Sequence, residues 1–121
     1  MKITCVDDSK IMLKELKMLL GRQHEVTTYS DPEVFLSEVK TVQPDLVLLD
    51  LIMPYICGAD VCIMLKADPE TENIPVVFCT GMQGEEYRIL TEQCGADGHI
   101  EKGDAKTLLE AIKQWEMNLT H

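Results

Sequence analysis

Five short β-branched or apolar runs alternate with five longer amphipathic stretches along this chain, and no Pro/Ser-rich linker, repeat or low-complexity segment breaks the rhythm. Such alternation predicts βα units, because parallel strands need helix-length crossovers between them. The expected strands are Ile3 to Val6, Glu25 to Tyr29, Asp45 to Leu49, Ile74 to Cys79 and Gly98 to Glu101. The third and fourth are almost continuously apolar, as suits the buried middle of a parallel sheet.

The helices follow from apolar spacing and end signals. Lys10 to Leu20 carries a stripe at Met12, Leu13, Leu16, Leu19 and Leu20, with Ser9 as N-cap and Gly21 just beyond. The second begins at Ser30-Asp31-Pro32-Glu33, where Ser30 and Glu33 have capping-box spacing and Pro32 a helix-compatible φ. Its inward face is Phe35, Leu36 and Val39. Ala59 to Ala67, Gly84 to Cys94 and Ala105 to Met117 complete the set, the last starting after Asp104 and expected to bury Leu108, Leu109 and Ile112.

At 121 residues, 45% apolar and 26% charged, the chain suits one domain, residues 1–121, with a single core. Twenty-one acidic residues against eleven Lys and Arg give a formal charge of -10, which argues against direct contact with nucleic acid or anionic lipid. The first eight residues reach two carboxylates before any long apolar stretch, unlike a secretory signal. No run approaches the roughly 18 apolar residues of a membrane helix, so a cytoplasmic address is expected. Cys5, Cys57, Cys62, Cys79 and Cys94 show no C-x-x-C spacing and are read as small buried apolar residues.

In a parallel α/β sheet, ligands collect at the carboxyl ends of the strands. Asp7-Asp8 follow the first strand and Asp50 the third; Thr80 ends the fourth and Lys102 follows the fifth. Three carboxylates a few ångströms apart repel by roughly 4 kcal/mol per pair at about 4 Å if the effective dielectric is about 20. A hard divalent cation such as Mg²⁺, which prefers oxygen ligands, answers that repulsion, and Lys102 adds a fixed positive charge. One carboxylate is then able to attack phosphorus and form an aspartyl phosphate, with the metal, Lys102 and the Thr80 hydroxyl taking the phosphoryl oxygens.

The segments Val6-Asp7-Asp8-Ser9, Pro44-Asp45-Leu46-Val47-Leu48-Leu49-Asp50-Leu51-Ile52-Met53-Pro54 with Gly58, Thr80-Gly81 and Gly98-His99-Ile100-Glu101-Lys102 together resemble the response-regulator receiver domains of two-component signalling, of the chemotaxis-regulator type. The likeness covers essentially the whole chain. It implies a flavodoxin-like, doubly wound (βα)5 sandwich with strand order 2-1-3-4-5, Asp50 as phosphoacceptor, and Asp8, Asp50 and the Ile52 carbonyl as direct Mg²⁺ ligands. Asp7 would reach the metal through water, Thr80 would move toward the phosphoryl group, and Lys102 would pair with it. The resemblance further implies a histidine kinase or phosphotransfer protein as donor, small acyl phosphates as substitutes, and a protein effector downstream. Output is expected at the face of the fourth helix, fifth strand and fifth helix, where Tyr87, Leu90, His99, Lys106 and Trp115 fall. Such a chain is a phosphoacceptor rather than an enzyme, a monomer or a phosphorylation-dependent dimer. The lack of linker composition after Trp115 favours a complete protein over an excised domain.

Three departures carry expectations of their own. Gly103 stands where the family has a Pro joined by a cis bond; a cis bond to a non-proline costs about 2.5 to 4 kcal/mol, so either a trans bond or a strained cis bond is expected. His99 replaces a Tyr or Phe, which predicts weaker or pH-dependent coupling between Thr80 and the surface. Ile52 and Met82, two residues beyond Asp50 and Thr80, are apolar where relatives orient water, which predicts slow loss of the phosphoryl group. Two rivals are weaker on the same residues. A haloacid-dehalogenase-type phosphatase needs an acid where Ile52 stands, and in a flavodoxin-like FMN carrier Asp7-Asp8 would repel the flavin phosphate.

Overall fold

Alternation within the strands decides the architecture. In the computed structural model β1 (Lys2–Val6), β2 (Glu25–Tyr29), β3 (Leu46–Leu49), β4 (Val76–Thr80) and β5 (Gly98–Glu101) form one parallel sheet in the order β2-β1-β3-β4-β5. Successive side chains on a strand point to opposite faces. Ile3, Cys5, Leu46, Leu48, Val77 and Cys79 therefore face one helical layer, and Val6, Val47, Leu49, Val76 and Phe78 face the other. The first layer is α1 (Lys10–Leu20) and α5 (Ala105–Leu119), contributing Leu13, Leu16, Leu20, Leu108 and Ile112. The second is α2 (Pro32–Val42), α3 (Gly58–Ala67) and α4 (Glu85–Gln93), contributing Phe35, Val39, Val61 and Leu65. The structure describes residues 1–81 and 85–119, without the side chains of Glu86 and Tyr87; Met82, the expected helix start at Gly84 and the Tyr87 side chain lie outside it.

The order and the βα rhythm are those expected from the sequence, and the differences have local causes. Ser30 is not the N-cap of α2: Asp31 is, its carboxylate accepting from the Glu33 amide at 2.9 Å, with Pro32 in the first turn. Asp ranks with Ser as a cap, and the choice fell to the residue directly before Pro32. The strand ladder of β4 starts at Val76, because Pro75 has no N–H to give and the Ile74 amide turns back to the Thr71 carbonyl at 3.0 Å. β4 also runs on to Thr80, which pairs in register with Glu101. Leu109 is exposed rather than buried, since the inward stripe of α5 runs through Leu108, Ala111, Ile112 and Trp115. Cys57 is likewise exposed, in the loop before α3; the other four cysteines are buried.

No peptide bond among the described residues is cis, so Lys102–Gly103 is trans. No described helix is long and apolar enough to cross a membrane.

Candidate functional site

The backbone ladder continues one step past the strands, and that step aims the polar side chains. Beyond β1 the Asp7 amide donates to the Tyr29 carbonyl at 3.1 Å; beyond β3 the Asp50 amide donates to the Val6 carbonyl at 2.9 Å; beyond β5 the Lys102 amide donates to the Thr80 carbonyl at 2.7 Å. Each of these residues is held by sheet geometry although it lies at a loop mouth. Asp7 and Asp50 are buried at 3% and 7% exposure, Thr80 at 1%, while Asp8 opens to solvent.

Asp7, Asp8 and Asp50 each bring a carboxylate oxygen into a cluster whose members lie within 4.8 Å of one another. Lys102 Nζ stands 2.9 Å from Asp7 Oδ2 and 3.5 Å from Asp50 Oδ2. The sequence-predicted acids and the lysine thus converge. Asp50 Oδ1 also faces the Ile52 amide at 3.5 Å, a long contact, and the Ile52 side chain is 61% exposed.

Burial and the neighbouring Asp7 charge push the Asp50 carboxyl above the usual carboxylate range, against the opposing pull of Lys102 and the Ile52 amide. For Lys102, burial works against the charge, but the ion pairs with Asp7 and Asp50 outweigh it and raise the ammonium above its ordinary value. The cluster holds more negative charge than one lysine balances. Hard oxygen donors in that number suit a cation such as Mg²⁺, and the imbalance is itself a reason for one to bind.

Ser9 caps α1 as expected, its hydroxyl accepting from the Met12 amide at 3.2 Å. Two contacts that fix the site were not read from the sequence. The Ser9 amide donates to Asp7 Oδ1 at 2.9 Å. The Asp-x-Ser spacing before a helix is the available signal, since Asp side chains bond to amides two residues on. Gly58 packs so tightly that a Cβ there would collide with the Asp50 carbonyl oxygen and lie 2.8 Å from Leu51 Cα, while its amide donates to the Leu51 carbonyl at 2.8 Å. Beside the acids a cavity of about 590 Å³ opens between Asp8, Asp31, Met53 and Tyr55, and Tyr55 is 96% exposed at its rim. His99 is exposed on β5, in register with Phe78.

The family model described as the response regulator receiver domain matches residues 3–113. Among curated proteins, the response regulator PleD of Caulobacter vibrioides is 38% identical over 103 residues, which is 84% of this chain and 22% of PleD. The chain therefore spans about a fifth of that relative's length. Among solved structures, the chemotaxis protein CheY4 of Vibrio cholerae superposes with a TM-score of 0.87 at 23% identity, covering 93% of this chain and 96% of its own, a likeness of fold. The BeF3-activated receiver domain of DrrB, a protein of Thermotoga maritima, has a TM-score of 0.81 at 30% identity and covers 96% of this chain and 97% of its own.

Proposed function

The chain belongs to the response regulator receiver domains, and from that membership we propose that Asp50 is the side chain that takes the phosphoryl group, served by Asp7, Asp8, Thr80 and Lys102. One observation carries the assignment. Three carboxylates from two loop mouths converge within 4.8 Å, and the acid at the tip of β3, Asp50, also lies 3.5 Å from the Lys102 ammonium.

Asp8, Asp50 and the Ile52 carbonyl are the groups that would hold Mg²⁺ directly, with Asp7 reaching it through water; the cation would supply positive charge to neutralise the acids and the phosphoryl oxygens. The chain's own groups do the rest. An Asp50 carboxylate oxygen forms the new bond to phosphorus as the bond to the donor breaks, a phosphorus–nitrogen bond for a phosphohistidine or a phosphorus–oxygen bond for an acyl phosphate. The Lys102 ammonium and the Thr80 hydroxyl each meet an oxygen of the transferred group, stabilising charge as it develops.

The donor in this reading is a histidine kinase or phosphotransfer protein in the cytoplasm. The output is a protein that meets the face of α4, β5 and α5, near Leu90, His99, Lys106 and Trp115, in a chain that is monomeric or dimerises when phosphorylated. The added charge biases that face between two states. Ile52, apolar and exposed beside the acceptor, orients no attacking water, so the phosphoform should last well beyond seconds.

Incubation with acetyl phosphate and Mg²⁺ followed by intact mass measurement tests the assignment. A single phosphoryl adduct is expected on the parent, and none on Asp50→Asn or in the presence of a chelator. An adduct that persists on Asp50→Asn overturns it.

A further inference from the structure

Of the buried cysteines, two meet. Cys62 on α3 and Cys94, the residue just past α4, lie in the same core cluster. Cys62 Sγ donates to the Cys94 carbonyl at 3.5 Å, and the two thiols are within hydrogen-bonding reach of each other. Cys5 and Cys79 also share a sheet face, but β3 stands between their strands. Two strand spacings are about 9 to 10 Å, beyond the Cα separation of roughly 4.4 to 6.8 Å that a disulfide spans. We propose that Cys62 and Cys94 are an oxidation site, a dithiol that a hydroperoxide converts into an intramolecular disulfide tying α3 to the end of α4.

The surroundings give the bond a structural consequence. One turn along α3 from Cys62, Lys66 Nζ binds Asp97 Oδ2 at 2.8 Å and the Ile74 carbonyl at 2.9 Å. Cys62 and Lys66 thus grip the connection from α4 to β5 on either side of Gly95, whose φ is 81°. A covalent bond at the first grip fixes the end of α4 without touching the carboxylate cluster.

Access comes through α4 itself. Its described inward anchors are half-buried Leu90, buried Thr91 and the adjoining Cys94, and Ile89 is 48% exposed. Among the described side chains these are light anchorage, and an element so held opens at lower free energy than the whole fold. Burial pushes the Cys62 thiol up to about 12, so it is inert while the helix is closed. On opening, Cys94 takes one peroxide oxygen to become a sulfenic acid, and the peroxide's remaining fragment leaves as water or an alcohol. Cys62 sulfur then attacks the Cys94 sulfur; the sulfur–oxygen bond breaks and the hydroxyl leaves with the thiol proton as water. Two thiols are oxidised, one peroxide is reduced, and no other reactant is needed.

The test uses the full chain carrying Cys57→Ser, which removes the exposed thiol. It is held with hydrogen peroxide for hours, unfolded and capped with N-ethylmaleimide. The expected result is two fewer maleimides per chain than in the reduced protein, with a linked peptide joining the segments that contain Cys62 and Cys94. Adding Cys94→Ser abolishes both, and Leu90→Ala, which loosens α4, raises the rate several-fold. Unchanged maleimide number, a sulfenic or sulfinic acid at Cys94 without a linked peptide, or a rate indifferent to Leu90→Ala would overturn the proposal.

Discussion

Lys102 pairs more closely with Asp7, at 2.9 Å, than with Asp50, at 3.5 Å. Its charge is thus committed to the more buried of the two acids, while Asp50 keeps an oxygen turned to the Ile52 amide. A lysine shared in this way holds the two acids together and is poised to shift toward a group that arrives on Asp50.

Replacing Lys102 with Ala removes that shared charge. Asp7 and Asp50 then face one another unbalanced, and the Asp50 carboxyl moves further above its ordinary range. Loss of one donor aimed at developing charge typically costs about 10² to 10³ in rate. Phosphoryl transfer from acetyl phosphate should fall by about 10²-fold, measured as the initial rate of adduct formation, with Lys102→Arg recovering part of it.

Asp50→Asn should stabilise the metal-free protein near neutral pH. The folded-state pKa of Asp50 is raised, so its carboxyl favours the protonated form, and its contribution to stability is fully present only below the unfolded value. That contribution is lost as pH rises through the folded value, which leaves the ionised acid as a cost at pH 7. The melting temperature of Asp50→Asn should therefore exceed the parent's at pH 7 without Mg²⁺, and the gap should close on acidification. Added Mg²⁺ should raise the parent more than the variant, because ligand binding to the folded state stabilises by mass action.

Thr4→Val should also stabilise, for a different reason. The Thr4 hydroxyl is buried, at 1% exposure in β1, and has no hydrogen-bond partner in the structure. An unsatisfied buried polar group costs about 1 to 3 kcal/mol, and Val replaces it at nearly the same volume. A gain of about 1 kcal/mol in denaturant unfolding at unchanged slope is expected; a loss would mean that the hydroxyl is satisfied in solution.

The order of elements and the convergence of Asp7, Asp8, Asp50 and Lys102 were legible because both follow from chain-wide patterns. Strand alternation sets which side chains share a face, and a parallel sheet sets which ends share a mouth. What the sequence left open depends on single contacts. The cap at Asp31 rather than Ser30, the exposure of Leu109 and Cys57, and the meeting of Cys62 with Cys94 across 32 positions are decided by neighbours that no local window contains. The Lys66–Asp97 tie is of the same kind: a lysine that reads as surface charge in sequence reaches two carbonyls and a carboxylate that itself accepts from the Val76 amide.

Gly58→Ala tests whether the acceptor's position is set by the loop behind it. No left-handed backbone demands glycine here; space does, since the added methyl would meet the Asp50 carbonyl oxygen and stand 2.8 Å from Leu51 Cα. Both neighbours are backbone, and neither turns aside as a flexible side chain would. The loop must move, weakening the Gly58 amide bond to the Leu51 carbonyl and shifting Asp50 away from Lys102 and Asp8. Overpacking of this kind costs about 1 to 3 kcal/mol, and misplacing a reacting group by about 1 Å is able to cost 10²-fold in rate. The expected outcome is a lower unfolding midpoint together with a fall of about 10-fold or more in acetyl phosphate labelling under conditions where the variant is still fully folded. Stability loss with normal labelling would show that Asp50 is held by its ladder bond to Val6 alone.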